Sequence, residues 1–485
     1  MLGSSHPSEK VDGLPMKKNS PSSSQSSGVS RRDAIHAGGL GALGLTLPQL
    51  LASRSAGAAE TSQAGGAGLA FGKAKSVILF WLSGGPPQHE TWDPKPKAPA
   101  EIRGEFGAIS TKTPGLHIGE LMPKAAQLTD KIAVLRAVVS GDNSHSSSGY
   151  QMLTGVPHVP LSQENAISKA PNLWPSLGAI LRTLREDRGG LPSAITLPKY
   201  IANVGEIHWP GQDGGILGRQ FDPWLLICDP NDPKFEIPDL ALPTDTSQGR
   251  FDARRGLLRE LAESAQHLQA ARRVQQFDQH STQALDLLSG SQARKAFKLD
   301  EESDATRDRY GRTKFGQSVL LSRRLVEAGV SLVQVNWQQI KDKENNGSWD
   351  IHKSYAPCCR DFLMPMMDQA YSALIEDLED RGLLEDTLVA WIGEFGHTPK
   401  INGNGGRDHW GSVFSCALAG AGIKGGVVHG ESDKHAAYPI SGRVAPRDIA
   451  ATIFHSLGYS PETPMYNQSG QPLPISRGHV IDAIL

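Results

Sequence analysis

A short apolar run at residues 388–392 ends at a loop rich in glycine, asparagine and proline. The run has no polar helical face, so it predicts a buried β-strand. Glu394 follows its end directly, and Arg407, Asp408 and His409 come later in the same loop. Ligands of open α/β sheets bind beyond the carboxyl ends of strands, and carboxylate oxygens and imidazole nitrogens suit a divalent cation. The loop therefore predicts a metal site, although a solvated Glu394 and a simple Arg407–Asp408 pair is the plainer alternative.

Further apolar runs indicate that this strand belongs to a sheet. Runs at 75–82, 132–139 and 330–337 are each bounded by residues that favour turns, which is typical of buried strands. A helix is expected over 361–380, between the third run and the strand that precedes Glu394. Strand, loop, helix and strand form a βαβ unit, whose right-handed crossover places both strand ends at the same edge of a parallel sheet.

Candidate metal ligands follow both strands of that unit. Asp350 and His352 lie after the first strand and should therefore approach Glu394, which lies after the second. We predict one metal site formed by Asp350, His352, Glu394 and His409, with zinc or manganese as the ion and calcium as a further candidate. Asp408 is expected to be either a reserve ligand or the partner that orients His409.

Two other loops carry candidates for substrate contact. His89 and Asp93 follow the Gly-Gly-Pro-Pro segment after the run at 75–82, where glycines allow close backbone approach to a ligand,. The alternative for this segment is a plain turn. Ser144 and Ser146 lie in a serine-rich loop after the second run, and a helix is expected to begin near Tyr150,.

The N-terminal segment differs in composition from the rest of the chain. Residues 1–29 are rich in serine, proline and lysine and should be disordered,. Arg31 and Arg32 precede an apolar stretch diluted by glycine and alanine, and a small-residue site at 56–59 follows. This pattern predicts a twin-arginine signal read by the twin-arginine export machinery, and hence a periplasmic or secreted protein. A short anchoring or buried helix is the alternative.

Composition narrows the remaining possibilities. The 485 residues carry a formal net charge of −2, so a general affinity for nucleic acid or anionic membranes is not expected. No later run is long and apolar enough for a transmembrane segment, and the four cysteines lack metal-ligand spacing,. We predict one α/β domain over 60–485, with an insertion of loops and helices around 160–310 that includes an amphipathic pattern at 252–289.

Several motifs resemble one bacterial family. They are Ser83-Gly84-Gly85-Pro86, Thr91-Trp92-Asp93-Pro94-Lys95, Met152-Leu153-Thr154-Gly155, Trp349-Asp350, Gly393-Glu394-Phe395-Gly396, Thr398-Pro399-Lys400 and Gly406-Arg407-Asp408-His409-Trp410. This combination resembles the domain of unknown function 1501 over nearly all of the chain after the leader. That family in turn is similar to the alkaline phosphatase and sulfatase superfamily. The resemblance implies a three-layer α/β/α sandwich with a mostly parallel central sheet.

The same resemblance implies positions for functional residues. A nucleophile is expected nine residues before Thr154, and that position holds His145. The first-strand metal aspartate is replaced by Ser83 or Gly84, and the Cys or Ser motif of sulfatases, followed by Pro and Arg, is missing. His145 could attack phosphorus, act as a general base or ligate the cation, and we expect ligand or base. A hydrogen bond within the serine-rich loop is its plainer role.

We therefore expect an exported hydrolase with one divalent metal, acting on a phosphate or sulfate ester of a small molecule or glycan. His145 and Arg407 are the predicted catalytic residues. The competing hypothesis is a non-catalytic periplasmic or cell-envelope binding protein that keeps the fold and a residual metal or glycan site, because a fold does not establish a function.

Overall fold

The computed structural model describes residues 70–485, apart from residue 204, most of 238–290, and 341–342. Its centre is an eight-stranded sheet in the order β8-β2-β7-β6-β1-β5-β3-β4. These strands are β1 (Ser76–Trp81), β2 (Ile132–Val138), β3 (Ala194–Leu197), β4 (Trp224–Leu225), β5 (Leu332–Asn336), β6 (Thr387–Ile392), β7 (Phe414–Ala419) and β8 (Val428–His429). All neighbouring strands are parallel except that β7 runs antiparallel to β6 and β2. The predicted mostly parallel sheet is confirmed.

Helices cover both faces of the sheet. The longest within the described residues are α1 (His145–Thr154), α2 (Leu177–Leu184), α3 (Lys314–Glu327), α4 (Met364–Asp380) and α5 (Pro446–Ser456). Side chains alternate along β1, so Ile78 and Phe80 pack in a core with α3 and α4,. Leu79 and Trp81 pack on the other face, in a core with α1, α2 and α5. The predicted three-layer α/β/α sandwich is confirmed.

Shorter helices and two-stranded ribbons lie outside the central sheet and the five longest helices. Shorter helices lie at Ala100–Arg103, Pro123–Ala126, Ser291–Ala296, Asp304–Tyr310 and Tyr355–Cys358. Two-stranded ribbons pair Ala108–Ser110 with His117–Gly119, Ala202–Asn203 with Ile207–His208, Gly396–His397 with His409–Trp410, Glu431–Ser432 with Pro439–Ser441, and Pro464–Tyr466 with Pro472–Pro474.

Local sequence accounts for the ends of α3. The hydroxyl of Thr313 accepts the N–H of Gly316 at 3.0 Å and caps the first turn,. Gly329, just past the helix, has a φ of 99°, which a residue with a side chain adopts only with strain. Helix α3 therefore begins at a side-chain cap and ends before a glycine.

The carboxyl ends of several strands meet at one edge of the sheet. Trp81, Ile392 and Asn336 end β1, β6 and β5 at the same level of the sheet register. Because β7 is antiparallel, its first residue Phe414 lies opposite Val138 at the end of β2. The segment before β7 therefore reaches the same edge as the loops after the parallel strands, and this edge carries the candidate site.

Two expectations about helices need correction. The helix expected from Tyr150 begins earlier, at His145, because the carboxylate of Glu164 accepts the backbone N–H of His145 at 2.8 Å. That cap comes from a later loop, which local sequence does not reveal. The helix expected over 361–380 is α4, which begins at Met364 and is preceded by a π-helical turn at Cys359–Leu363.

Some expectations concern residues outside the described part of the chain. The predicted leader lies before residue 70, and most of the amphipathic pattern at 252–289 is likewise outside the described residues. Among the helices that are described, none is both long and apolar enough to cross a membrane.

Candidate metal centre

Three histidine side chains converge on Asp350, in the loop that follows β5. The Oδ1 atom of Asp350 lies 2.9 Å from Nε2 of His409 and 2.9 Å from Nε2 of His352. Its Oδ2 atom lies 3.3 Å from Nε2 of His145. His145 begins α1 after β2, and His409 comes shortly before β7. The cluster thus joins residues far apart in sequence at the carboxyl edge of the sheet.

The second ring nitrogen of each histidine also faces an oxygen. The Nδ1 contacts are His409 to the carbonyl of Asn143 at 2.8 Å, His352 to Oδ1 of Asp408 at 2.8 Å, and His145 to Oε1 of Glu394 at 2.9 Å. Carbonyl and carboxylate oxygens accept hydrogen bonds, so a proton on each Nδ1 satisfies these three contacts. In the neutral ring the lone pair of Nε2 then points at Asp350, which is the arrangement of metal-binding histidines.

The cluster needs positive charge at its centre. Lone pairs of Nε2 atoms facing a carboxylate repel unless a proton or a cation lies between them. Protonation of every ring would crowd imidazolium groups, since the ring centroid of His409 lies 4.2 Å from that of His145 and 4.6 Å from that of His352. Donor atoms of His145, Asp350 and His409 lie within 4.8 Å of one another. Two imidazoles and one carboxylate therefore fit a divalent cation, with zinc and manganese the ions that suit these donors.

The pKa shifts in the cluster also indicate that positive charge is favoured there. Burial lowers the pKa of His145, but hydrogen bonds to Asp350 and Glu394 outweigh it and raise the pKa to about 10. The hydrogen bond to Asp350 raises the pKa of His352 to about 9. Burial acts to raise the pKa of Asp350, yet the hydrogen bonds of the histidines hold that pKa far below its usual range. The centre thus favours bound positive charge.

Glu394 supports this centre from beneath. Its side chain is fully buried, and Oε1 accepts the N–H of Gly84 at 2.7 Å in addition to Nδ1 of His145. Oε2 is buried without a hydrogen-bond partner among the described residues. Gly84 has a φ of 108°, and a Cβ there would lie 2.2 Å from the backbone nitrogen of Asp350. The first-strand loop therefore contributes a backbone donor where the resemblance implied a metal aspartate.

The structure brings all four predicted metal ligands together, in two roles. Asp350 and His409 belong to the set of donors that one cation can reach. His352 bonds to Asp350, and Glu394 bonds to His145. His145, expected as ligand or base, joins the donor set instead of Glu394 and His352.

Asp408 lies beside the cluster and does not face its centre. Its Oδ1 atom bonds to Nδ1 of His352 at 2.8 Å and accepts from the amide of Asn402 at 3.1 Å. The side chain is 53% exposed. The expected orienting contact is therefore made to His352, and the expectation that Asp408 orients His409 is not supported.

The surroundings of His145 include residues that the sequence did not indicate. Its ring stacks on Trp209 with centroids 5.7 Å apart and also contacts Phe395 at 5.1 Å. Asn203 links this wall to the helix start, since its side chain bonds both Trp209 and Glu164. Trp209, Glu164 and Asn203 come from a Pro- and Gly-rich region without periodicity, so no sequence signal marked them.

Arg407 lies away from this centre in a buried ion pair. Its guanidinium bonds Glu90 Oε1 through Nη2 at 2.7 Å and through Nε at 3.2 Å. The remaining N–H groups donate to the carbonyls of Ile102, Thr398 and Pro399. These contacts use all five N–H donors of an arginine. No donor remains for a substrate, so the geometry favours a structural role over the predicted catalytic one.

His89 and Asp93 are also buried away from the cluster. Nε2 of His89 bonds the carbonyl of His435 at 2.8 Å, and burial, followed by the nearby arginine charge, lowers the pKa of its ring. Asp93 accepts from the hydroxyl of Ser432 and pairs with Lys95 at 3.0 Å. Both side chains are under 5% exposed, which does not favour the predicted contact with substrate.

The two serines beside His145 differ in environment. Ser146 is buried, donates to the carbonyl of Gln163 at 3.0 Å and accepts the N–H of Ala166 at 2.9 Å. This hydroxyl therefore anchors a loop, which does not favour its predicted substrate role. Ser144 precedes α1, is partly exposed and makes no side-chain capping bond, so substrate contact stays a prediction for it.

Comparison with known proteins gives the family. No curated protein matches the chain. The fold is loosely similar to the PsFucS1 sulfatase from Pseudoalteromonas sp. (14% identity, 79% of this chain and 67% of that chain, TM-score 0.36). It is similar to the same degree to the lipoteichoic acid synthase LtaP from Listeria monocytogenes (10% identity, 86% and 78%, TM-score 0.37). A third is the phosphonate monoester hydrolase SpPMH from Silicibacter pomeroyi (13% identity, 84% and 76%, TM-score 0.34).

Residues 74–485 match the family described as "Protein of unknown function (DUF1501)", and the chain belongs to that family.

Proposed function

We propose that this protein is an exported, metal-dependent hydrolase of phosphate or sulfate esters. The observation that carries the proposal is the convergence of His145, Asp350 and His409, whose donor atoms lie within 4.8 Å of one another. This cluster lies where parallel α/β sheets bind their ligands, beyond the carboxyl ends of the strands. The strongly shifted pKa values of His145 and His352 support a functional rather than a purely structural cluster,.

In this proposal His145, Asp350 and His409 hold a zinc or manganese ion. When bound, the ion would polarise the ester oxygen and make water a better nucleophile. Glu394 and the carbonyl of Asn143 fix the two imidazole rings by accepting their Nδ1–H groups,. Oε2 of Glu394 is buried and has no partner among the described residues, so we give Glu394 a positioning role through His145 and no contact with the attacking water.

Direct attack by water fits these residues better than a covalent intermediate. Both ring nitrogens of His145 face carboxylates, which leaves no free lone pair for attack on phosphorus or sulfur. Ser146, Ser147 and Ser148 engage other groups through their hydroxyls. Ser144 is the remaining hydroxyl beside the cluster. Its side chain makes no capping bond to α1, and a serine nucleophile needs a base that takes its proton.

A screen of model esters tests this proposal. The purified protein would be stripped with a chelator, reloaded separately with zinc or manganese, and assayed on 4-nitrophenyl phosphate, bis(4-nitrophenyl) phosphate and 4-nitrophenyl sulfate. We expect turnover of at least one ester that disappears on stripping and returns on reloading. The Asp350→Asn variant should lose turnover, and Ser144→Ala should keep it. Trapping of a phosphoryl group on Ser144 would contradict the direct mechanism.

A second candidate function has one observation in its favour. The position expected for the nucleophile carries His145, and its nitrogens are held by Asp350 and Glu394. A binding protein that retains a metal site would look the same at this position. Stoichiometric metal without turnover of any ester in the screen would favour that candidate over the hydrolase.

A further inference from the structure

A cleft of about 810 Å³ opens in the segment that runs from Ile167 to Leu225. Its volume falls within the range of about 300–1,000 Å³ that is common for small-molecule sites. The rings of Tyr200 and His208 line it with centroids 3.5 Å apart. His208 is exposed and Tyr200 is half-buried. The cleft thus offers an accessible pair of aromatic rings, which the metal centre does not use.

The cleft and the metal centre share a wall. Trp209 lines the cleft, and its ring also stacks on His145 with centroids 5.7 Å apart. Asn203 bonds the indole N–H of Trp209 and the carboxylate of Glu164, which in turn accepts the N–H of His145. The cleft therefore lies one indole ring away from His145.

The polar lining of the cleft is acidic but partly neutralised. Asp222 pairs with Arg219 at 3.4 Å, and Asp213 accepts the hydroxyl of Ser168 at 3.0 Å. Glu206, also in the lining, pairs with a neighbouring lysine at 2.7 Å. Carboxylates accept hydrogen bonds from hydroxyl groups and repel phosphate or sulfate groups. The cleft consequently suits a neutral, hydroxyl-rich ligand better than an anionic one.

We infer that this cleft binds a short neutral stretch of carbohydrate next to the esterified sugar of the substrate. Tyr200 and His208 pack against the C–H face of a sugar ring, and Asp213 and Asp222 accept its hydroxyl groups. Such a mixture of aromatic faces and a few placed polar groups is what gives small-molecule sites their specificity. The link to catalysis rests on the proposed function, whereas binding in the cleft requires neither metal nor turnover.

Saturation-transfer NMR and calorimetry on the full chain test the inference, with cellopentaose, xylopentaose, maltopentaose and laminaripentaose as probes. We expect at least one of them to bind. Loss of the ring in Tyr200→Ala should weaken binding on the order of tenfold, and Tyr200→Phe should retain it. His208→Ala is the second variant, because substitution of an exposed side chain usually changes stability little,. The matched control is Tyr466→Ala, since Tyr466 is 59% exposed and does not line the cleft.

The outcomes separate this inference from the proposed function. Oligosaccharide binding that depends on Tyr200 supports the inference even if no ester is hydrolysed. Failure of every oligosaccharide to bind would overturn the inference, and ester hydrolysis in that case would leave the hydrolase proposal intact. Binding of a lysine-rich peptide in place of every oligosaccharide would also overturn it, because the acidic lining would then serve a cationic partner.

Discussion

Binding of a divalent cation should release protons from the cluster in a pH-dependent way. The raised pKa of His145, about 10, means that in the metal-free protein this ring is an imidazolium, with a proton on both nitrogens, at pH 8. A cation that takes its Nε2 must displace that proton. His145 therefore stabilises the metal-free fold below pH 6.5, and this contribution is lost as the pH rises through about 10,. At pH 7 the competing proton costs cation binding about 4 kcal/mol, which is 3 pKa units at about 1.36 kcal/mol each,.

Calorimetric titration with zinc at pH 8, in buffers of different ionisation enthalpy, measures the released protons directly. We expect about one proton from His145 and a further fraction from His352, whose pKa of about 9 falls once Asp350 binds the cation,. Apparent affinity should rise at least about tenfold for each pH unit between 7 and 9, because each released proton contributes a factor of about ten. Glu394→Gln removes one carboxylate from His145. The number of protons released and the rise in affinity per pH unit should therefore both be smaller. Binding without proton release, or with uptake, would refute this account of the cluster.

Three further predictions concern Glu394, Arg407 and the leader. Glu394→Gln should lower kcat by about 10- to 100-fold on any ester found in the screen, because the Nδ1–H of His145 loses the carboxylate that fixes the ring,. Arg407→Met should destabilise folding by about 3–5 kcal/mol in chemical denaturation, because the buried carboxylate of Glu90 loses its partner,, while the metal content per folded molecule stays unchanged. Replacement of Arg31 and Arg32 by lysine should leave precursor in the cytoplasm on cell fractionation, since the leader is read as an arginine pair; unchanged export would refute the leader.

The strand ends and the residues after them could be predicted from sequence. Asp350 and Glu394 each follow a continuous apolar run, and the geometry of a βαβ unit requires both ends to meet at one edge. The structure places β1 between the two strands and still brings these residues into one cluster. His409 reaches the same edge because it comes just before an antiparallel strand. These placements depend on backbone topology, which apolar patterns reveal.

The details within the site could not be predicted in the same way. Glu164 and Trp209 reach His145 from loops whose paths depend on contacts distant in sequence. The role of Gly84 depends on a backbone N–H and a positive φ, neither of which a motif specifies. Arg407 lies two residues from His409, yet its side chain is buried against Glu90. The position of a residue in the sequence can place it near the carboxyl edge of the sheet. It does not give the direction in which the side chain points.

Metal analysis by mass spectrometry of the purified protein tests the central claim most directly. The comparison is between the wild-type protein, His409→Ala and the control His479→Ala, whose exposed side chain lies outside the cluster. We predict about one zinc or manganese ion per chain in the wild type and the control, and loss of that ion in His409→Ala. A wild-type protein that holds no divalent metal after growth with both ions, or a His409→Ala variant that retains it unchanged, would contradict the account.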